Sequence, residues 1–553
     1  MNKLMKTFSL LLTIAPLSFM LHAQETVPQG WHLEDLRKDG YYGISLNEAY
    51  DFLKSKGLKS RPVIVGIVDS GIDTTHEDLQ PVLWTNEKEI PGNGIDDDKN
   101  GYVDDVHGWN FLGSKDGKEN VTKDSFEGAR VYWKFKDLFE GKTESQIPAD
   151  QKENYKLWLR AKQDIDKDKA DPEETQKMKL FFDVFKEGDS IIRADLKKQE
   201  YSCKDLANYT PIPAAAIQTK QIMLYTCKGN ANDDITNKML LEDVQKDLDK
   251  TTVGEAPPAN YRDEIVKDHY SDFTDKYYGN NNLLVDNESA MHGTHVAGII
   301  GAARNNEKGM DGVADNVKIM SVRAVPDGDE HDKDIALGIR YAVDNGARVI
   351  NMSFGKGYSP EKKWVDDAVR YAAGKNVLLV HAAGNDAANI DTAYNFPSVV
   401  FLDGKRATNW ITVGASGDAK AGGLTASFSN YGKKETDVFA PGVRIYSTVP
   451  GGNTYANLQG TSMAAPVVTG LAALIMSYFP DLTAVQVKDI IEKSVSKPTE
   501  KVAVPGTNDQ VLLSDISVYG GIVNAYNAVL LAYEISRGAK AAPGKKATTK
   551  KKR

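Results

Sequence analysis

Val63-Ile64-Val65-Gly66-Ile67-Val68-Asp69-Ser70-Gly71-Ile72-Asp73, introduced by Arg61-Pro62, is the stretch whose reading decides the fold. Five of the six residues from 63 to 68 are β-branched, with no polar alternation. That is the pattern of a strand covered on both faces, the usual environment of a parallel sheet. Asp69 stands at its carboxyl end, where open α/β sheets gather functional groups. The plainer alternative is an Asp that caps the next turn. Downstream, Val317–Val322, Val349–Met352, Val377–Val380 and Trp410–Val413 read as further strands. Helical patterns at Ile335–Asn345 and Trp364–Gly374 separate them, and another follows at Thr483–Ser494. The alternation predicts an α/β domain whose mostly parallel central sheet is flanked by helices.

The chain has 553 residues, 41% hydrophobic and 26% charged, as expected of a globular protein with room for a large domain and additions. Its formal net charge is −9. The stretch 538–553 carries seven basic residues and no acid, which leaves about −16 on the rest. An acidic body argues against general nucleic-acid binding. Residues 538–553 read as a disordered basic tail. At the other end, Lys3 and Lys6 precede an apolar run from Phe8 to Leu21, and Leu21-His22-Ala23 forms a cleavage site before Gln24. Residues 1–23 thus read as an export signal that delivers the chain to the periplasm or outside the cell, with no stable membrane insertion after cleavage. Residues 24–60 form a short polar lead, with Trp31, Leu33, Leu36 and a helical Leu46–Leu53 able to pack on the domain that follows.

Between Gly113 and Glu288 the character changes. Charges of both signs are dense and strand-like runs are few. Asp171-Pro172-Glu173-Glu174 has the form of a helix start. Met178, Phe181, Phe182, Phe185, Ile192 and Leu196 follow at helical spacing, as do Trp158, Leu159 and Ile165 before them. Residues 113–288 are expected to be a mainly helical insertion with its own small core. Its two cysteines, Cys203 and Cys227, are the chain's only ones. In an oxidising compartment they can close a disulfide loop; two free thiols are the alternative.

Four short segments carry chemistry. Gly460-Thr461-Ser462-Met463-Ala464-Ala465-Pro466 opens an apolar helix with no polar face, so Ser462 sits near a helix N-terminus, where free N–H groups favour developing negative charge. A capping serine is the bland reading. Pro466 is read in the first turn, where a missing N–H costs little. Met291-His292-Gly293-Thr294-His295-Val296-Ala297-Gly298 places a histidine, a base near neutrality, at a glycine-rich helix start. His292 and His295 are three apart, but nothing completes a zinc site at a known spacing. In His381-Ala382-Ala383-Gly384-Asn385-Asp386, the Asn385 amide can donate to an oxyanion. Asp69 is the fourth.

Taken in order, Asp-Ser-Gly at 69–71, His-Gly-Thr-His-Val-Ala-Gly at 292–298, Ala-Ala-Gly-Asn at 382–385 and Gly-Thr-Ser-Met-Ala-Ala-Pro at 460–466 resemble the signatures of the subtilisin-like serine peptidases. The resemblance covers residues 61–112 and 289–536. It implies a three-layer α/β catalytic domain in two parts, 61–112 and 289–537, and a serine endopeptidase acting on proteins or peptides. It implies Ser462 as nucleophile, His292 as general base then acid, and Asp69 as the group that orients His292. Asn385 and the Ser462 N–H would form the oxyanion hole. Ser353-Phe354-Gly355 would receive the substrate as an extra strand, and Ala382 to Gly384, with Ala383 and Gly384 in contact, would wall the first specificity pocket. No cofactor is needed for this chemistry. An inactive protease-fold binding protein, and a transpeptidase or amidase on the same triad, are the contrasting readings.

The sequence departs from that pattern in places. The lead 24–60 is shorter than the folding-assistant propeptide usual in secreted members. The family's calcium loop after the histidine helix is shortened at Arg304 to Asp311. The insertion enters beside His292 and is expected to restrict access or recruit substrate. The acidic loop from Asn93 to Asp105 carries Asp96, Asp98, Asn100, the Tyr102 carbonyl and Asp104 at the spacing of a calcium loop's first half. His107 occupies the place of an EF-hand's closing Glu, so the loop is not an EF-hand. Structural calcium is the expectation, and a solvated acidic turn the alternative.

Overall fold

A computed structural model describes residues 27–168, 172–198, 200–230 and 235–540. The export signal at 1–23, the cap at Asp171 and residues 541–553 of the basic tail lie outside the described residues. The chain forms two compact units. One is built from residues 125–259; the other combines 27–124 with the chain from 260 onward.

The larger unit is organised on seven strands: β1 (Val63–Asp69), β2 (Gly108–Asn110), β3 (Val317–Arg323), β4 (Val349–Met352), β5 (Leu378–Ala382), β6 (Trp410–Ser416) and β7 (Val438–Pro441). Their order is β2-β3-β1-β4-β5-β6-β7, and every pair is parallel. The downstream strands and helices end within three residues of the positions expected from sequence. The sheet is packed on both faces, which is why β1 shows no polar alternation. Val63, Val65 and Ile67 face a cluster containing Val296 and Ile299 of the Met291–Gly301 helix and Val467, Leu471 and Leu474 of the Thr461–Tyr478 helix. Val68, Met320 and Val322 face the opposite cluster, with Ile335, Ile339, Val365 and Val369 from the helices Asp332–Asp344 and Lys362–Gly374. Helix, sheet and helix make three layers. The Thr461–Tyr478 helix is long and apolar enough to cross a membrane, but 89% of it is buried within the protein.

The chain leaves β1 for β2 and β3 on one side, then crosses to β4 on the other. The carboxyl end of β1 is therefore the topological switch point, where a crevice opens between outgoing loops. Sequence periodicity missed several elements among the described residues. Strands β2 and β7 are too short for a pattern. The hairpin of β8 (Ile445–Val449) and β9 (Thr454–Leu458) carries mixed polar residues, and the helix Ala525–Lys540 begins in a stretch not read as helical.

The lead is part of this unit. Val27, Trp31, Ile44, Leu46, Ala49 and Leu53 all belong to its core, and Trp31 Nε1 donates to the Val443 carbonyl at 3.1 Å. Segment 260–278 is held by buried ion pairs. Arg262 grips both oxygens of Asp334 at 2.6 and 2.9 Å and Asp268 at 2.6 Å, and Lys333 shares Asp268 at 2.6 Å. Mutual pairing is what lets these charges stay buried.

The smaller unit is helical. Helices Glu127–Phe139, Lys152–Asp168, Pro172–Leu196, Ala214–Asn230 and Asn237–Thr252 make up most of it. Phe182, Phe185 and Ile192 are buried with Leu206, Met223, Leu240 and Val244, while Met178, Phe181 and Leu196 pack partly buried against them. The aromatic stripe is core. Cys203 and Cys227 are joined by a disulfide inside the same cluster.

Candidate active site

Asp69 is the last residue of β1 and is buried. Its Oδ1 accepts from the Ser70 N–H at 2.8 Å and from His292 Nδ1 at 2.7 Å, which fixes the ring's tautomer with Nε2 free to act as base. Oδ2 is buried with no hydrogen-bond partner among the described residues. His292 is the second residue of its helix and is half-exposed. Gly293 explains how the helix comes so near. A Cβ there would lie 2.1 Å from the Gly71 carbonyl oxygen and 3.2 Å from Asp69 Oδ1, so any side chain would push the helix off the Asp69 turn. Burial disfavours the charged ring of His292, but attraction to Asp69 and the hydrogen bond outweigh it, and its pKa is raised.

His295, one turn on, points elsewhere. Its Nε2 is shared by the Ile445 and Ala456 carbonyls of the β8–β9 hairpin at 3.0 and 3.1 Å, and burial lowers its pKa to about 3. His381 is likewise a neutral core group. Its Nε2 donates to the Phe354 carbonyl at 2.8 Å, and burial lowers its pKa to about 4.

Ser462 is the second residue of the Thr461–Tyr478 helix, so its N–H has no intrahelical acceptor. Its hydroxyl donates to the Ser353 carbonyl at 3.2 Å rather than to His292. Asn385 lies in the loop after β5. Its Oδ1 accepts from the Thr461 N–H at 2.9 Å and the Thr461 hydroxyl at 3.0 Å, so the amide nitrogen is the free end. A Cβ on Gly460, whose φ is +152°, would lie 3.5 Å from Asn385 Nδ2 and 3.6 Å from the Ser462 nitrogen. Both nitrogens thus border the space that glycine leaves open at 460.

The residues singled out for substrate binding border this region. Ser353, Phe354 and Gly355 follow β4, and Ala383 and Gly384 follow β5. The Phe354 carbonyl is turned inward to His381. Gly384 N–H donates to the Thr461 hydroxyl at 3.0 Å. Asn395 lies against Gly355 and donates to the Ala383 carbonyl at 3.0 Å. Asn430 also donates to Ala383 O, at 2.9 Å, and accepts from the N–H groups of Asp386 and Ala388, which ties down the loop carrying Asn385. Neither Asn395, Asn430 nor Thr461 was singled out from sequence as a positioning group. Only Thr461 lay in a quoted motif.

The acidic loop splits its candidates. Carboxylate oxygens of Glu89, Asp96 and Asp98 all lie within 4.8 Å of one another. Hard anionic oxygens gathered so closely fit a calcium ion. Asp96 Oδ1 and Asp98 Oδ1 also accept from the Asn100 N–H, each at 3.0 Å, and Asn100 Oδ1 accepts from the Tyr102 N–H. Asp104 turns the other way, accepting backbone N–H groups from Gly92, Asn93 and Gly94. The Tyr102 ring packs against Trp109 and Tyr341. Glu89 was not a sequence candidate; it reaches the loop from seven residues before Asp96.

Comparison with known proteins bears on this geometry. The family model described as the Subtilase family matches residues 60–512. The thermophilic serine proteinase of Bacillus sp. (strain AK1) is 40% identical over 43% of this chain and 52% of its own length. Subtilisin DY of Bacillus licheniformis is 41% identical over 37% of this chain and 70% of its own. Thermitase of Thermoactinomyces vulgaris is 37% identical over 48% of this chain and 86% of its own. The chain thus spans about half the length of the first relative and most of the other two. With a match over most of its length and residues 69, 292, 385 and 462 gathered at one edge of a parallel sheet, the chain belongs to the subtilase family.

Proposed function

We propose that this protein is an exported serine endopeptidase that hydrolyses peptide bonds through an acyl-enzyme on Ser462. The 2.7 Å bond between Asp69 and His292, beside a serine at a helix N-terminus, carries the reading. Ser462 Oγ leaves the Ser353 carbonyl, gives its proton to His292 Nε2 and attacks the scissile carbonyl carbon. Asn385 Nδ2 and the Ser462 N–H take the developing oxyanion, and Asp69 stabilises the imidazolium. His292 returns the proton to the leaving amine, which departs as the C–N bond breaks. A water deprotonated by His292 then attacks the acyl carbon, and Ser462 leaves with the proton. The substrate lies as an added strand along Ser353, Phe354 and Gly355, with Ala383 and Gly384 beside its first side chain.

Glu89, Asp96 and Asp98, with Asn100 beside them, would hold a structural calcium ion that neutralises the loop's charge. Residues 1–23 act as the export signal. The Cys203–Cys227 disulfide supports an oxidising compartment, periplasmic or extracellular. Substrates are proteins or peptides, not nucleic acids. The two parts 61–112 and 289–537 make the catalytic domain.

The test is labelling by a fluorophosphonate probe and cleavage of casein, with Ser462→Ala beside the wild type. Labelling and cleavage lost together in the variant are expected. An unlabelled wild type would leave a binding protein on a protease fold, and products joined to an added amine acceptor would indicate a transpeptidase.

A further inference from the structure

Pro466 is the sixth residue of the Thr461–Tyr478 helix and has no N–H. In an α-helix, that N–H would bond to the carbonyl of residue 462. The carbonyl of Ser462 itself is therefore left without its helical donor. Sequence reading placed Pro466 in the first turn, where nothing is lost; one residue pair further in, the lost bond falls on the serine.

A buried polar chain makes up the loss. Ser353 Oγ donates to the Ser462 carbonyl at 2.9 Å. Asn351 Nδ2 donates to Ser353 Oγ at 2.9 Å, and Thr469 Oγ1 donates to Asn351 Oδ1 at 2.9 Å. Each hydroxyl has one proton, so the direction of the chain is fixed from Thr469 to Asn351 to Ser353 to Ser462. Asn351 and Thr469 are 0% exposed and Ser353 is 3% exposed. Burying an amide and two hydroxyls beneath an otherwise apolar helix costs stability unless all are satisfied, and valine at 469 would pack as well. Polar residues here call for a reason beyond packing. Residues 462 and 469 are two turns apart on one helix face, and Asn351 lies in β4, paired on both sides by β1 and β5. The chain thus pins the helix to the middle of the sheet at two points. It sets the rotation of the helix and the tilt of the Ser462 peptide, and with them the Ser462 hydroxyl and N–H.

We propose that Asn351 and Thr469 are positioning residues for the nucleophile, holding Ser353 Oγ on the Ser462 carbonyl that Pro466 leaves without a donor. The inference rests on Ser462 being the nucleophile. Thr469→Val keeps the shape and removes the hydroxyl. Asn351 Oδ1 then loses its donor, the amide is free to turn, and the Ser353–Ser462 bond loosens. Displacements of a fraction of an ångström at a reacting atom cost about tenfold in rate.

The test uses the full chain. The rate constant of fluorophosphonate labelling per titrated active site, kcat and KM on a short peptide, and Tm are measured for wild type, Thr469→Val, Thr469→Ala and Thr469→Ser. The expected result is labelling and kcat about tenfold slower in the Val and Ala variants. KM should stay within about twofold, and Thr469→Ser should restore the rate. Two hydroxyl-free variants guard against one failing to fold. A lower Tm with unchanged labelling per titrated site would make the chain purely structural and overturn the inference. An unlabelled wild type would overturn the Ser462 reading and this inference with it; a labelled wild type beside unaltered variants overturns the inference alone.

Discussion

The buried His32 should cost this protein stability in acid, by an amount that one substitution can isolate. His32 sits in the lead beside Trp31, is fully buried, and neither ring nitrogen has a hydrogen-bond partner among the described residues. Burial lowers its pKa to about 3, as it does that of His295, and lowers that of His381 to about 4. The unfolded chain takes a proton on each ring near its ordinary value of 6.5, while the folded chain keeps the rings neutral. The rings therefore cost nothing above about pH 6.5, and their cost grows as pH drops from there toward the folded values near 3 to 4. Between about pH 8 and pH 5 each ring costs about 2 kcal/mol, while burial raises the carboxyls of Glu330 to about 8 and of Glu34 and Glu492 to about 7, and these gain stability as they take up protons over the same range. His292, with its raised pKa, acts in the opposite direction, adding stability below its unfolded value that is lost as pH rises. His32→Leu leaves no partner stranded, so stability at about pH 8 should hold or improve. The acid-induced loss should shrink by about 2 kcal/mol. Urea unfolding followed by tryptophan fluorescence at the two pH values reads this directly, in a Ser462→Ala background that prevents self-digestion. A His32→Leu protein that loses as much stability on acidification as its parent would refute the reasoning.

Asp69→Asn should lower kcat by about 10⁴, because the amide favours the wrong His292 tautomer. In the wild type the acid limb of kcat/KM should lie above the ordinary histidine value, since Asp69 raises the pKa of His292; in the variant burial alone remains and the limb should move to lower pH. A chelator should lower Tm, and Glu89→Gln combined with Asp96→Asn should remove most of that dependence; a melting point indifferent to chelator in the wild type would count against the calcium site. Reducing Cys203–Cys227, whose partners are 24 apart in sequence, should cost the helical unit about 3 kcal/mol and expose 125–259 to added protease before the rest of the chain.

What was legible in the sequence follows from where the information is local. Strand β1 announced itself because a strand covered on both faces must be apolar throughout, and the six consecutive residues 63–68 carry that constraint. Asp69, His292, Asn385 and Ser462 are readable as candidates because each sits where a strand ends or a helix starts, and such places need small residues within two or three positions. Gly293 beside His292, Gly384 beside Asn385 and Gly460 before Ser462 make each segment a readable motif. Strand β2 is three residues long and exists because β3 offers it a register, so it has no pattern of its own. Glu89 reaches Asp96 and Asp98 through loop geometry that spacing does not encode.

Asn351 and Thr469 are 118 residues apart, and each looks like an accident in its own apolar run. A signal was nonetheless present. A proline four residues after a functional serine removes the donor to that serine's carbonyl, and a buried carbonyl must find another. The replacement has to come from a neighbouring element, and a hydroxyl in a core will itself need a partner. A proline inside an apolar helix, together with a lone asparagine in a buried strand, therefore asks for a polar chain between them. Here that chain runs through Ser353 to Ser462, and the residues that look least suited to the core are those that hold the serine in place.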